Sequence, residues 1–191
     1  MKKLLAEIKA CRICEAFLPY QPKPILSVSN HSKIIIIGQA PGQKAHDSGI
    51  PWNDQSGDNL RTWMGVSREQ FYDTSLFGIM PMGFCYPGKG RSGDLPPRPE
   101  CAPAWHAPLL HSMKQAELTI LIGQYAQQFY LQDRSYASVT ENVKNYADFL
   151  PGFLPLVHPS PRNKIWMKKN PWFETEVLPI LKQQVAALLK K

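Results

Sequence analysis

The residues of this chain best equipped for chemistry fall in four short groups. LVHPSPRN, residues 156 to 163, sets His158 ahead of two prolines that bracket Ser160, with Pro161, Arg162 and Asn163 closing the turn. Proline rings fix φ, so such a turn loses little entropy on ordering while presenting an imidazole, a hydroxyl and a permanent cation. GQAPG, residues 38 to 42, is built for a tight turn at Gly38, Pro41 and Gly42. Its amides, that of Ala40 included, can approach a ligand closely, and Gln39 adds a neutral donor and acceptor. It lacks the Gly-Lys-Ser/Thr ending of a phosphate loop, and a purely structural turn would use the same residues. GIPWNDQSGDNL, residues 49 to 60, offers the flat face of Trp52 and the carboxylates of Asp54 and Asp58. Trp52 equally suits a core, and Ser56 with Asp58 suits a helix start in which Ser56 is the N-cap.

The fourth group is Cys11, Cys14, Cys85 and Cys101, with C-x2-C first and fifteen residues between the last two. A cytosolic protein seldom keeps structural disulfides, so four thiols favour one metal site over four unrelated buried cysteines. Four thiolates suit a tetrahedral zinc or a [4Fe–4S] cluster, and ligand softness does not separate the two. The remaining histidines carry less. His106 and His111 follow Cys101 on an apolar helical stretch and read as packing residues. His31 precedes the first apolar run and gets no role, and His46, near GQAPG, is an outside candidate.

Elements must bring these groups together. Four apolar runs, KIIIIG at 33 to 38, SLFGIMPM at 75 to 82, LTILIG at 118 to 123 and FLPLVH at 153 to 158, lack clean alternation, as strands covered on both faces do. Between them SGDNLRTWMG, AWHAPLLHSMKQ and GQYAQQFYLQ have helical character, and the tail from Pro171 reads as a final helix. The predicted fold is an α/β three-layer sandwich with a central four-stranded, mostly parallel sheet flanked by helices. In such a sheet the loops after all four runs, GQAPG, GFCYPGKG, GQYA and HPSPRN, leave from the carboxyl edge, where open α/β sheets bind ligands.

Composition bounds the rest. The 191 residues, 43% of them hydrophobic, suffice for one domain spanning 1–191. No apolar run approaches the roughly 20 residues of a membrane span, and MKKLLAEIKA lacks secretory features, so a cytoplasmic protein is expected. A formal charge of +7 favours polyanionic partners. Arg162, Lys164, Lys168 and Lys169 cluster with Trp166 at and beyond the quoted loop, although a solvated segment reads the same way.

G-Q-A-P-G after the first strand, P-W-x-x-x-S-G-x-x-L beyond it and H-P-S-P-R-N after the last strand resemble the uracil-DNA glycosylase superfamily. The cysteine spacing is similar to that of its iron–sulfur branch of bacteria and archaea. The resemblance runs from Cys11 to Asn163. It implies a monomeric enzyme that flips a damaged base from DNA and hydrolyses its N-glycosidic bond.

By the same resemblance His158 stabilises charge on the departing base, while Gln39 and the amides of Gly38, Ala40 and Gly42 hold the pocket and Trp52 stacks on the base. Ser160, Pro161, Arg162 and Asn163 contact DNA, with Arg162 as the wedge. The cysteines hold a structural [4Fe–4S] cluster, with zinc as the alternative, that turns Lys89, Arg91 and Arg98 toward phosphates. Two positions depart from the family pattern: Gln39 stands where relatives carry Glu, and Pro81 occupies the offset of a base-reading Asn. Asp54, Asp47 and His46 are the candidates for activating water, Asp54 being preferred for its closeness to Trp52. The alternative reading is a protein that binds modified bases without hydrolysis.

Overall fold

Four consecutive isoleucines, Ile34–Ile37, form β1 in the computed structural model, which describes residues 1–190. Alternation along an extended chain sends Ile34 and Ile36 to one face and Ile35 and Ile37 to the other, and each pair enters a separate buried cluster. A strand with no polar face therefore belongs at the centre of a three-layer sandwich. β2 (Phe77–Ile79), β3 (Leu118–Ile122) and β4 (Phe153–Leu156) complete a sheet of order β2-β1-β3-β4. All three pairings are parallel, so the expected mostly parallel sheet is wholly so.

Helices cover both faces. α1 (Lys2–Lys9) and, after β2, α5 (Cys101–Ser112) and α6 (Gln124–Leu131) cover the face of Ile35 and Ile37. Short α2 (Gln43–Ser48) follows β1, and α3 (Gln55–Met64) and α4 (Arg68–Tyr72) lead into β2. α3 packs the opposite face together with α7 (Val139–Lys144) and the C-terminal α9 (Leu178–Leu189). The tail helix opens with a wider π turn at Phe173–Val177, just before Pro179, which has no N–H to return to the preceding turn. α8 (Lys164–Lys169) carries the basic cluster.

Three details differ from the sequence-based expectations. β2 is shorter than the run at 75 to 82, because Pro81 cannot donate to a ladder. The chain nevertheless continues alongside the first loop, with Met82 N–H donating to Gly38 O at 2.8 Å and Gly83 N–H to Gln39 O at 3.0 Å. α3 is capped by Asp54, whose carboxylate accepts from Gly57 N–H at 2.9 Å, and not by Ser56. Trp166, grouped in the sequence with the basic residues, turns away from them onto the core. It packs edge-on against Trp172 and Phe173 and donates to Thr140 Oγ1 at 2.9 Å. Among the described residues no helix is long and apolar enough to cross a membrane.

Candidate functional site

The sheet order makes β1 and β3 the switch point, since the chain moves from β1 outward to β2 and then returns across to β3 and β4. At the carboxyl edge lies a cavity of about 530 Å³, lined by Gly38, Gln39, Ala40 and Gly42 from the first loop, Trp52 and Asp54 from the segment before α3, and His158, Ser160 and Arg162 from the last loop. Residues far apart in the chain thus share one hollow. The GQYA loop after β3 contributes nothing to this lining. Gly123 turns straight into α6, whose buried Gln127 donates instead to Leu121 O at 3.2 Å and Leu156 O at 2.9 Å, tying β3 to β4.

Trp52 is held in a left-handed conformation, φ 56°, which a bulky residue adopts only under constraint. Its surroundings supply that constraint. A Cβ on Gly57 would lie 1.8 Å from Trp52 O, and one on Gly38 would lie 2.9 Å from the indole ring. Tyr72 Oη donates to Pro51 O at 2.9 Å. Buried Arg61 reaches Trp52 O at 3.4 Å, pairs with Asp58 at 2.5 Å and lies over the rings of Phe71 and Tyr72. The indole stands 5.6 Å from the imidazole of His158, tilted by 31°.

His158 follows β4 on a loop pinned at both ends. Asn163 Nδ2 donates to His158 O at 2.6 Å, and Asn59 Nδ2 donates to Pro159 O at 2.8 Å. Asn163 is thus a brace behind the cavity and not part of its lining. Ser160 Oγ accepts from Arg162 N–H at 3.2 Å, and Pro161 opens the single 3-10 turn that follows. Burial lowers the pKa of His158 from its ordinary value while the nearby Asp54 carboxylate raises it, and burial prevails. The imidazole is therefore neutral at pH 7 and offers an N–H without a charge.

The third wall comes from the loop after β2, which was expected at the carboxyl edge, but its fold was not anticipated. GKGRSG, residues 88 to 93, has the letters of a GxGxxG pattern but opens no helix, and turns back as a small hairpin instead. Lys89 and Asp94 bridge across it, Leu95 N–H donates to Gly88 O at 2.8 Å and Gly90 N–H to Gly93 O at 2.7 Å. Lys89, Ser92, Gly93 and Asp94 all line the cavity. Gln39 Nε2 donates to Leu95 O at 2.8 Å and Arg162 Nη1 to Ser92 O at 3.3 Å, so residues expected to face only ligand also clamp this hairpin. The signal in the sequence was the pair of glycines flanking charged residues, which marks a turn but not where the turn folds back.

Pro81 lines the cavity where a base-reading asparagine was sought, and its carbonyl is already bonded. Buried His106 donates from Nε2 to Pro81 O at 3.1 Å, and its Nδ1 accepts from Tyr130 Oη at 2.6 Å. Burial drives its pKa down to about 4, as suits a neutral packing histidine. His111 and His31 are exposed. His46 stacks on Tyr20 at 4.9 Å and meets Tyr86 at 5.8 Å with the rings tilted by 43°, outside the cavity lining. Asp47 accepts from Gln43 Nε2 at 2.7 Å on α2 and is likewise outside it.

Cys11, Cys14, Cys85 and Cys101 line a second, apolar cavity between the N-terminal segment and the start of α5. Phe84 N–H donates to Cys101 Sγ at 3.3 Å, and Cys14 Sγ lies 3.8 Å from Glu100 Oε2. Burial pushes Cys85 up to about 11 and Cys101 up to about 12, so both are neutral thiols unless positive charge faces them. Among the described residues no three Cys, His, Asp or Glu side chains stand close enough to share one metal ion. Four thiols around one apolar cavity are donors of the kind a thiolate-bound group uses, but a shared metal centre would require the sulfurs to draw together. Arg98 does not reach out for phosphate: it pairs with Glu100 at 2.5 Å and lies 4.2 Å over the Phe17 ring.

The chain is similar to a candidate uracil DNA glycosylase from Methanosarcina acetivorans, known from its solution NMR structure, with 13% identity, a TM-score of 0.49, and coverage of 83% of this chain and 94% of that one. The sequence model of the Uracil DNA glycosylase superfamily matches residues 26–182, from the segment before β1 into α9. The chain belongs to the uracil DNA glycosylase superfamily.

Proposed function

We propose that this protein is a DNA glycosylase that takes a deaminated base, uracil or a relative, out of the stack and hydrolyses its N-glycosidic bond. The observation that carries the reading is that Gln39, Trp52 and His158 line one cavity of about 530 Å³, with Arg162 at its edge. Trp52 supplies a face for the flipped base, and the first-loop amides surround it. Neutral His158 donates its N–H to the oxygen on which negative charge collects as the base departs. Asp54, whose charge is felt at His158, keeps negative potential near the sugar as it becomes cationic. Arg162 and Ser160 meet phosphates, and Arg162 wedges into the gap left by the base.

The four cysteines are proposed to hold a [4Fe–4S] cluster, supported by their convergence on one apolar cavity. Bound there, the cluster would join the N-terminal segment to the residue 83–101 region as a structural clamp. Binding without hydrolysis is the second reading. It is favoured by the engagement of Gln39 Nε2 with Leu95 O and by the presence of Pro81 instead of a base-reading amide.

Incubation with oligonucleotides carrying uracil, hypoxanthine or xanthine, followed by alkaline cleavage, separates the two. The glycosylase reading expects abasic sites from at least one substrate. Tight binding with no abasic site from any of them would establish the second reading.

A further inference from the structure

We propose that Asp94 is the carboxylate that takes the proton from the attacking water in this cavity, an inference that rests on the glycosylase reading. The groups that could serve are few. Gln39 is an amide, and its nitrogen is spent on Leu95 O. Asp54 lines the cavity, but one of its oxygens is committed to the start of α3 through Gly57 N–H. His46 and Asp47 lie outside the lining. Asp94 remains, on a hairpin held at three points: by its own bridge to Lys89, by Gln39 and by Arg162.

The placement is tight at the first loop. A Cβ on Gly42 would come within 3.2 Å of Asp94 Oδ2, so glycine there leaves the carboxylate its room above the GQAPG turn. Tyr86, Lys89, Arg162 and Asp54 are the ionisable groups that face it. Burial raises its pKa, Asp54 adds to the rise, and Lys89, the Tyr86 hydroxyl and Arg162 oppose it. A base whose pKa is raised toward the working pH holds a proton better in the transition state.

In the step itself, the water oxygen bonds to C1′ as the C1′–N bond breaks and its electron pair leaves with the base. The water's proton passes to Asp94, which returns it to the released base and is regenerated. The hairpin thus makes up for the missing acid at position 39. Clamping by Arg162 ties its position to the loop that enters DNA.

The test is single-turnover release, at saturating protein, of whichever base the unsubstituted protein excises, followed across pH. Asp94→Asn is expected to lower the rate by about 10²-fold or more with oligonucleotide affinity retained. It should also abolish the fall in rate on the acid side, which in the unsubstituted protein follows the raised pKa of Asp94. Asp94→Glu, which keeps the charge, should recover at least about tenfold of the loss. Asp54→Asn, in which Asn still caps α3, should keep the acid-side fall. An Asp94→Asn rate within about threefold of the original, or a slow variant whose acid-side fall persists, overturns the proposal while leaving the glycosylase reading intact. Failure of the unsubstituted protein to release any base overturns both.

Discussion

At His158 two influences oppose each other. Burial lowers the pKa, the Asp54 carboxylate raises it, and burial is the larger. Its folded value therefore lies below the ordinary imidazole value of 6.5, and the ring is neutral throughout the range from pH 7 to 8. Charge on a departing base would be met by an N–H dipole fixed beforehand, which costs no reorganisation during the reaction. His158→Ala is expected to slow single-turnover cleavage by about 10²- to 10³-fold with little change in DNA affinity. Because protonation is not involved, the loss should be the same at pH 7 and pH 8. A loss that grows as pH falls between them would mean that the imidazolium does the work. The histidine and the turn HPSPRN were readable from residue types alone, since strand end, proline spacing and titratable group are all local. Asp94 was not, because nothing near it in the chain says which cavity its hairpin closes.

At the scale of elements, α3 and its N-terminal turn are the device that aims Trp52. Asp54 caps the helix, Arg61 two turns later reaches back to Trp52 O, and Gly57 leaves space for that carbonyl. The left-handed backbone at Trp52 costs about 1–3 kcal/mol, so it persists only while these contacts hold. Gly57→Ala would put a methyl group 1.8 Å from a backbone oxygen. It should destabilise the fold by about 3 kcal/mol in urea titration and disturb the near-ultraviolet dichroism of the indole. Gly152→Ala, where a Cβ would meet nothing within 4 Å, is the matched substitution expected to leave both measurements unchanged. The helix was visible in SGDNLRTWMG, but its cap was misassigned to Ser56. Both residues suit a cap, and a shift of two positions is decided by the turn that precedes it.

At the scale of the whole molecule, the cysteines stand where two segments meet that secondary structure leaves only loosely joined. Residues 11 to 24 contain no regular element beyond one 3-10 turn, and they meet residues 83 to 105 around the thiols. Anaerobic purification is expected to yield a yellow-brown protein with about four irons per chain. Cys101→Ser should remove the colour and loosen the neighbouring loop, seen as faster proteolysis between residues 86 and 100. A colourless protein carrying one zinc would reject the iron assignment.

The sequence by itself determined the parallel sheet, the covering of both its faces and the carboxyl-edge position of three functional loops. These follow from strand hydrophobicity and from short, chirally constrained connections. The tertiary structure alone decided that the loop after β3 stays out of the cavity, that Gln39 and Arg162 hold a hairpin, and that this hairpin brings in a second carboxylate. Those outcomes depend on hydrogen bonds between residues 56 and 70 positions apart. No local pattern encodes such pairings: they form only when the closed sheet brings the loops together.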